Sequence, residues 1–157
     1  MTAYRFLSAW LIEAPADQVW DTIHDSERWP QWWKGVQSAV ELEPGDALGV
    51  GSLARYRWRS RLPYTLEFDV RTTRAERPHL LEGRAQGELT GVGRWRFFQH
   101  GPLTAVIYEW NVSTSRGWMN ALAPVARLVF AWNHDVVMRQ GAEGLAHRLG
   151  ARLVTCS

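Results

Sequence analysis

The stretch WLIEAPADQVWDTIHDSERWPQWWKGV, residues 10–36, joins three hydrophobic patterns in a short length of chain. It begins at the end of a segment, 3–13, whose side chains alternate between a richly aromatic face and a second face, as in a strand. Pro15 then suits the first turn of a helix, and Val19 and Ile23 follow at helical spacing. The stretch therefore predicts a strand that leads directly into a short helix.

The end of that stretch, ERWPQWWKGV at 27–36, gathers three tryptophans around one proline. Pro30 cannot continue a helix that starts before it, because it lacks an N–H and its ring clashes with the preceding turn. A second short helical turn or loop is therefore expected here. The three indoles cannot all share one face. We expect Trp29 and one of Trp32 and Trp33 to close the core beside the first helix, with the remaining indole at a pocket mouth or in solvent.

The rest of the chain divides into a strand-rich middle and a helical end. Residues 36–114 alternate in polarity between turn-rich connections, which predicts a series of antiparallel strands. From 117 to about 152, the apolar residues recur at helical spacing, which predicts one long helix. With strand 3–13 and short helices within 15–34, the prediction is a single α+β domain, residues 1–157. In it, a curved antiparallel sheet of about seven strands wraps around the long helix.

Two apolar stripes run along the predicted long helix. The first is predicted to face the sheet. The second lies on another side, and either a kink near Gly141 or a homodimer contact through this helix would explain it. The first stripe comprises Leu122, Val125, Ala126, Val129, Trp132, Val136 and Val137, and the second comprises Met138, Ala142, Leu145, Leu149 and Leu153.

Charge and glycine patterns argue against nucleic-acid and dinucleotide binding. The chain has 18 basic and 16 acidic residues, without long runs of one sign. The arginines of 52–60 face carboxylates of 64–71 across a predicted hairpin, so we interpret them as a solvated sheet face. The segment GVGRW, 91–95, lacks the third glycine and the helix of a dinucleotide fingerprint. It is interpreted as a bulged strand, and no nucleic-acid partner is expected.

Cysteine and histidine usage predicts no metal centre and no other cofactor. The single cysteine, Cys156, allows neither a disulfide framework nor a thiolate metal site. The five histidines have no paired ligand spacing. The longest apolar segment, 121–132, is too short to span a bilayer, and the N-terminus lacks a signal-peptide pattern. A cytoplasmic protein without a transmembrane segment is therefore expected.

A set of residues early in the chain forms a recognisable pattern: Ile12, Ala14, Pro15, Val19, Trp20, Asp25, Trp29, Pro30, Trp32 and Trp33. This pattern resembles the start of the SRPBCC superfamily, which includes START-like lipid-transfer domains, the birch-pollen-allergen family and polyketide cyclase/dehydrase-like proteins. Residues 118–141 resemble the last helix of a bacterial polyketide cyclase/dehydrase-like subgroup. The resemblance covers nearly the whole chain. It implies a helix-grip fold with a hydrophobic cavity between the sheet and the last helix.

Aromatic residues on the inward strand faces are the main candidates for ligand binding, although an ordinary packed core is the alternative. Asn133 joins them because it lies within the apolar face of the long helix, where a buried amide needs a partner. That partner is a strand backbone, a tyrosine hydroxyl, water or a ligand. The candidate set is Trp10, Tyr56, Trp58, Phe68, Trp95, Tyr108, Trp110, Trp118 and Asn133.

Two functions remain open at this point. The first is a carrier or sensor that binds a small hydrophobic molecule, such as a lipid, polyketide or aromatic, in the internal cavity. The alternative is a cyclase, aromatase or dehydratase that holds a poly-keto substrate next to an acid or base. Its candidate catalytic residues are His134, Tyr108 and Glu109. Alternation places Glu109 on the outer face, so its role depends on a reversal of the two faces.

Overall fold

A computed structural model of the chain describes residues 2–114, 117 and 123–157, and its main element is one curved antiparallel sheet. The eight strands lie in the order β2-β3-β4-β5-β6-β7-β1-β8. Every pairing is antiparallel, and most neighbours in the sheet are also neighbours along the chain. The strands are β1 (Thr2–Ile12), β2 (Val36–Glu43), β3 (Leu53–Trp58), β4 (Leu66–Glu76), β5 (Leu80–Gly87), β6 (Leu89–His100), β7 (Leu103–Thr114) and β8 (Leu153–Cys156).

The helices occupy the places that the sequence predicts. Two short helices follow β1, namely α1 (Ala16–His24) and α2 (Trp29–Trp32), with a 3₁₀ turn at Ser26–Arg28 between them. The long helix, α3 (Ala123–Leu149), packs against the inner face of the sheet. Of the predicted start of this helix, 118–122 lies outside the described residues. The predicted α+β helix-grip architecture is confirmed.

An eighth strand was missed because the helical pattern was extended too far. α3 ends at Leu149, and Gly150 follows with φ +60°, a left-handed conformation that glycine adopts without strain. The helical pattern predicts Leu153 on a stripe of the long helix, but Leu153 lies on β8, where it pairs with Ile12 of β1. Four residues are too few for alternation to be recognised as a strand.

The inward face of α3 differs from the predicted one. Val125 and Trp132, placed inside by helical counting, are 64% and 49% exposed, whereas Phe130 is 4% exposed. Apolar side chains lie on both sides of this half of the helix, so periodicity alone did not identify the covered side. In the second stripe Met138 and Leu145 are buried within the domain. The centre of this stripe is therefore covered within one chain and needs no second copy, and a homodimer through the C-terminal helix stays a prediction.

The shift between the two stripes results from the docking of residues 27–36, the tryptophan segment, on α3. A side chain at Gly141 would lie 2.5 Å from the Trp33 ring, and one at Gly144 would lie 1.8 Å from the carbonyl oxygen of Trp32. The glycines thus allow the segment after α1 to approach the helix backbone. α3 is a single helix through these positions, and the rotation of the apolar stripe needs no kink.

The outer face of the sheet carries paired charges, as predicted for the β3–β4 hairpin. Arg55 lies opposite Asp69 in the ladder and its Nε is 2.8 Å from the carboxylate. Further along the sheet, Arg94 binds Glu82 at 2.6 Å. These pairs are partly exposed, so each stabilises the fold little, but together they keep this face polar. Within the described residues, no helix combines the length and apolar character needed to cross a bilayer.

Candidate functional site

A cavity of about 170 Å³ lies between the inner face of the sheet and α3. Strands β3 to β7, the end of α1, and helices α2 and α3 form its wall. For comparison, an engineered apolar cavity of about 150 Å³ binds benzene, and pockets for drug-sized molecules measure about 300–1,000 Å³. The space therefore suits a compact ligand. The wall includes these residues from the sequence-based candidate set: Tyr56, Trp58, Phe68, Trp95, Tyr108, Trp110 and Asn133.

Strand alternation produces a continuous aromatic wall, because every second side chain points to the same face. Trp95 lies opposite Tyr108 across the β6–β7 pair, with ring centroids 4.0 Å apart. The Tyr108 and Trp110 centroids are 6.0 Å apart, and Trp110 approaches Phe68 at 5.7 Å. The two longer spacings are typical of aromatic pairs, and the Trp95–Tyr108 pair is a close stack. The rings thus form a continuous apolar surface on one side of the cavity.

Two glycines at inward positions keep the cavity open. Gly83 and Gly93 lie opposite each other in the regular register of β5 and β6, so the predicted bulge at Gly93 is not present. A methyl group at Gly93 would lie 2.9 Å from both the Tyr108 hydroxyl and the Trp110 ring. One at Gly83 would lie 2.6 Å from Val70. Sequence reasoning missed this role, since a glycine in a strand is equally typical of a bulge or a close approach.

Several polar groups of the cavity wall are uncharged. The Tyr56 hydroxyl is 2.6 Å from Ser26 Oγ, and burial raises the pKa of Tyr56 to about 12. Burial also raises the pKa of Tyr108, whose hydroxyl has no hydrogen-bond partner among the described residues. The side-chain oxygen of Asn133 and the Nε1 of Trp58 are buried and likewise have no partner among those residues. The wall thus holds neutral donors and acceptors with unused hydrogen-bonding capacity.

The sequence of residues 8–150 matches the family model described as polyketide cyclase / dehydrase and lipid transport. The chain belongs to this family. The match covers most of the chain, including the helices, the sheet and the cavity wall. No curated protein is detectably similar to the chain in sequence.

Solved structures share the helix-grip fold of this chain. The aromatase/cyclase Zhui from Streptomyces sp. R1128 is 15% identical, with a TM-score of 0.77 over 94% of this chain and 93% of that one. A START superfamily protein from Mycobacterium smegmatis is 15% identical, with a TM-score of 0.76 over 93% and 97%. The di-domain ARO/CYC protein BexL is 18% identical, with a TM-score of 0.77 over 96% of this chain but 51% of that one. The predicted superfamily is confirmed, and the chain spans about half of the di-domain protein.

The three candidate catalytic residues of this family member separate into two locations. Tyr108 and His134 line the cavity. Glu109 lies on the outer face, where its carboxylate is 2.8 Å from Arg96 and 3.9 Å from Arg94. The two faces are therefore as alternation predicted, and a role for Glu109 inside the cavity is ruled out by this position.

Two aromatic candidates are not in the described cavity wall. Trp10 is 2% exposed and packs in the core behind the cavity, with its ring 5.4 Å from Trp95 and 5.8 Å from Trp33. Alternation placed Trp10 correctly on the inner face. Side chains of α1 pack in the same core cluster as Trp10, so its ring lies in the packed core rather than in the described cavity wall. Trp118 lies outside the described residues.

The tryptophan segment both closes the core and shapes the cavity. Trp29 Nε1 donates to the carbonyl of Ile23 at 3.0 Å, and Trp33 Nε1 donates to the carbonyl of Val137 at 2.8 Å. Both rings line the cavity, whereas Trp32 is half-buried outside its wall. The sequence predicts a plug that also shapes one end of a pocket. Trp33 belongs to the core cluster, Trp29 packs against it, and both side chains are also part of the cavity wall.

His134 is held as a neutral imidazole. It stacks on Phe6 with ring centroids 4.1 Å apart, and neither ring nitrogen has a partner among the described residues. Burial lowers the pKa of His134 from 6.5 to about 4. At neutral pH the residue therefore contributes an uncharged ring to the wall.

The lowered pKa of His134 predicts a loss of stability in mild acid. Between pH 6.5 and 4 the unfolded state binds the proton more tightly than the folded state. The free energy of unfolding is therefore highest above pH 6.5 and declines as the pH falls towards 4. By pH 5 we expect the wild type to lose about 2 kcal/mol of unfolding free energy relative to His134→Gln. Urea denaturation at pH 7.5 and pH 5 measures this difference.

The control for this experiment is His147→Gln, which removes an exposed histidine of the same helix and leaves His134 in place. Its loss between the two pH values should equal that of the wild type. If the wild type and His134→Gln lost the same unfolding free energy between the two pH values, the lowered pKa of His134 would be contradicted.

Proposed function

We propose that the protein binds a compact hydrophobic molecule, aromatic in character, in the cavity between the sheet and α3, and acts as a carrier or sensor. The continuous aromatic wall formed by Phe68, Trp95, Tyr108 and Trp110 carries this proposal. Stacking on such a surface favours flat rings over flexible chains. The volume of about 170 Å³ also favours a small ring system over a two-chain lipid.

The family relationship supports this proposal. Its description joins polyketide chemistry to lipid transport, and both activities require an apolar ligand. The single cysteine suits a reducing compartment, and we propose that the protein acts in the cytoplasm.

A cyclase-type reaction is the second candidate, because Tyr108 and His134 line the same cavity. The cavity would act by folding a poly-keto chain against the aromatic wall, which aligns reacting carbons. Tyr108 is a neutral phenol and would donate a hydrogen bond to a carbonyl oxygen of that chain. The similarity to the aromatase/cyclase Zhui supports this candidate through the shared fold. Product analysis with a poly-keto thioester distinguishes the two functions, since a binding protein returns the substrate unchanged beyond its background reaction.

Filling the cavity is the direct test of ligand binding. Gly93→Ala adds a methyl group 2.9 Å from the Tyr108 hydroxyl and the Trp110 ring, so we expect it to close part of the space. Binding of naphthalene, measured by isothermal titration calorimetry, should weaken about tenfold or more. The control is Gly117→Ala, because no described atom lies within 4 Å of the added methyl group.

The control should bind naphthalene as the wild type does, and circular dichroism should confirm that both variants are folded. A folded Gly93→Ala protein with unchanged naphthalene affinity would contradict the proposed binding site. Absence of naphthalene binding in the wild type would contradict the proposed function.

A further inference from the structure

Apart from the tyrosines, three ionisable side chains line the described part of the cavity, and two of them already bind other groups of the protein. These three side chains are Glu82, His24 and His134. Glu82 binds Arg94 at 2.6 Å on the outer face, and His24 Nε2 is 2.6 Å from the carbonyl oxygen of Leu48. His134 stacks on Phe6 inside the wall. A ligand carboxylate or ammonium group would find no opposite charge among these residues.

Burial of an unpaired charge is strongly unfavourable. An ion loses its hydration when it enters a low-dielectric site, and the penalty in proteins is several kcal/mol unless a partner replaces the water. The aromatic wall offers indole and phenol rings to a ligand, and these groups cannot neutralise an anion. The described part of the cavity wall therefore discriminates against charged ligands.

The two tyrosines of the cavity differ in how their hydroxyl groups are used. Tyr56 is bonded to Ser26 at 2.6 Å, so the protein satisfies this hydroxyl. Tyr108 lines the same cavity without a hydrogen-bond partner among the described residues, and it is only half-buried although it lies in the interior of the sheet. Its remaining accessible surface thus faces the cavity. A ligand oxygen next to this hydroxyl would gain a hydrogen bond that the protein leaves unmade.

Asn133 supplies a second polar group on the opposite wall. It projects from α3, and its side-chain oxygen is buried without a partner among the described residues. The terminal torsion of an asparagine side chain is soft, so the amide turns towards a ligand at little cost. The amide carries both donor and acceptor groups, and so does a phenol. Tyr108 on the sheet and Asn133 on the helix therefore suit a flat ring that carries a hydroxyl or carbonyl group.

We infer that the ligand is an uncharged aromatic compound with a hydroxyl or carbonyl substituent, such as a phenol or hydroxylated aromatic ketone, and that the cavity rejects the corresponding carboxylates. This inference rests on the proposed binding function and names the ligand class of the same cavity. Tyr108 and Asn133 recognise the substituent, and the aromatic wall recognises the ring.

A series of three probes with one ring system tests the inference: naphthalene, 2-naphthol and 2-naphthoate, titrated by calorimetry at pH 7. We expect 2-naphthol to bind about fivefold more tightly than naphthalene, the gain of one net hydrogen bond. We expect 2-naphthoate to bind on the order of a hundredfold more weakly than 2-naphthol, because its charge is unpaired.

The outcomes separate this inference from the proposed function. If naphthalene and 2-naphthol bind equally, or if 2-naphthoate binds as tightly as 2-naphthol, the inference is overturned and the hydrophobic binding function stands. If none of the three probes binds, the proposed function itself fails.

Two variants test the residues that recognise the substituent. Tyr108→Phe and Asn133→Leu should each reduce the preference for 2-naphthol over naphthalene from about fivefold to about twofold or less. Tyr56→Phe is the matched control, since it removes a hydroxyl that Ser26 already satisfies. It should change the affinities for both probes alike and so preserve their ratio. An unchanged ratio in both Tyr108→Phe and Asn133→Leu would overturn the assignment of these residues.

Discussion

Replacement of Trp33 by alanine should lower the free energy of unfolding by about 4 kcal/mol. Trp33 is 1% exposed, and its ring contacts those of Trp10, Trp29 and Trp58 within 6 Å. Its loss leaves a void that the surrounding rings cannot fill without leaving their own contacts. The carbonyl oxygen of Val137 would also lose the 2.8 Å hydrogen bond from the indole. Urea denaturation at pH 7.5, followed by circular dichroism, measures the change.

A second tryptophan on the surface provides the control for Trp33→Ala. Trp132 is 49% exposed on the outer side of α3, so Trp132→Ala should change the unfolding free energy by no more than about 1 kcal/mol. If both variants lost similar amounts, or if Trp33→Ala lost less than about 1 kcal/mol, the central position of Trp33 in the core would be refuted.

Gly144→Ala should destabilise the protein by about 3 kcal/mol, although helix propensity alone predicts the opposite sign. Alanine is favoured over glycine in a helix interior by about 1 kcal/mol. At this position, however, the added methyl group would lie 1.8 Å from the carbonyl oxygen of Trp32, which is a backbone atom. The helix and the tryptophan segment must then separate, and the contacts of Trp33 beside Gly141 are disturbed with them.

The sign of the Gly144→Ala effect shows whether helix propensity or the clash with the Trp32 carbonyl dominates. Glu143→Ala is the control, because it introduces alanine at an exposed position of the same helical turn. It should leave the unfolding free energy within about 0.5 kcal/mol of the wild type. A Gly144→Ala protein more stable than the wild type would show that the close docking on α3 is absent in solution.

The sequence was sufficient to predict the helices, every strand except β8, and the inner faces of the strands. Alternation is unambiguous over long strands such as β6 and β7, so Tyr108 and Trp110 were placed inward and Glu109 outward. The Arg55–Asp69 pair was predicted for the same reason. In each case the information is local, and a side chain's face follows from its position in the strand.

The parts that were not predicted depend on contacts between distant segments. The covered face of α3 is decided by the docking of Trp33, which binds the carbonyl of Val137, 104 positions along the chain. Phe130 was missed as a cavity residue because its side of α3 packs on Tyr4 and Phe6 of β1, which are also far away along the chain. Trp10 and Trp95 share the inner face, yet one fills the core and the other lines the cavity. Alternation predicts which face of the sheet a side chain lies on. It does not predict whether that side chain packs in the core or lines the cavity.

The ion pairs on the outer face have a consequence for how the chain finds its strand pairing. Glu82, Arg94 and Glu109 are aligned across β5, β6 and β7. A slip of one residue between two of these strands would turn one set of charges towards the cavity and expose tryptophan rings to water. Such a mispaired sheet would lose its apolar interior and its surface charge pairs at the same time. The charged outer face therefore helps folding to reject near-native registers that would otherwise retain most of the backbone hydrogen bonds.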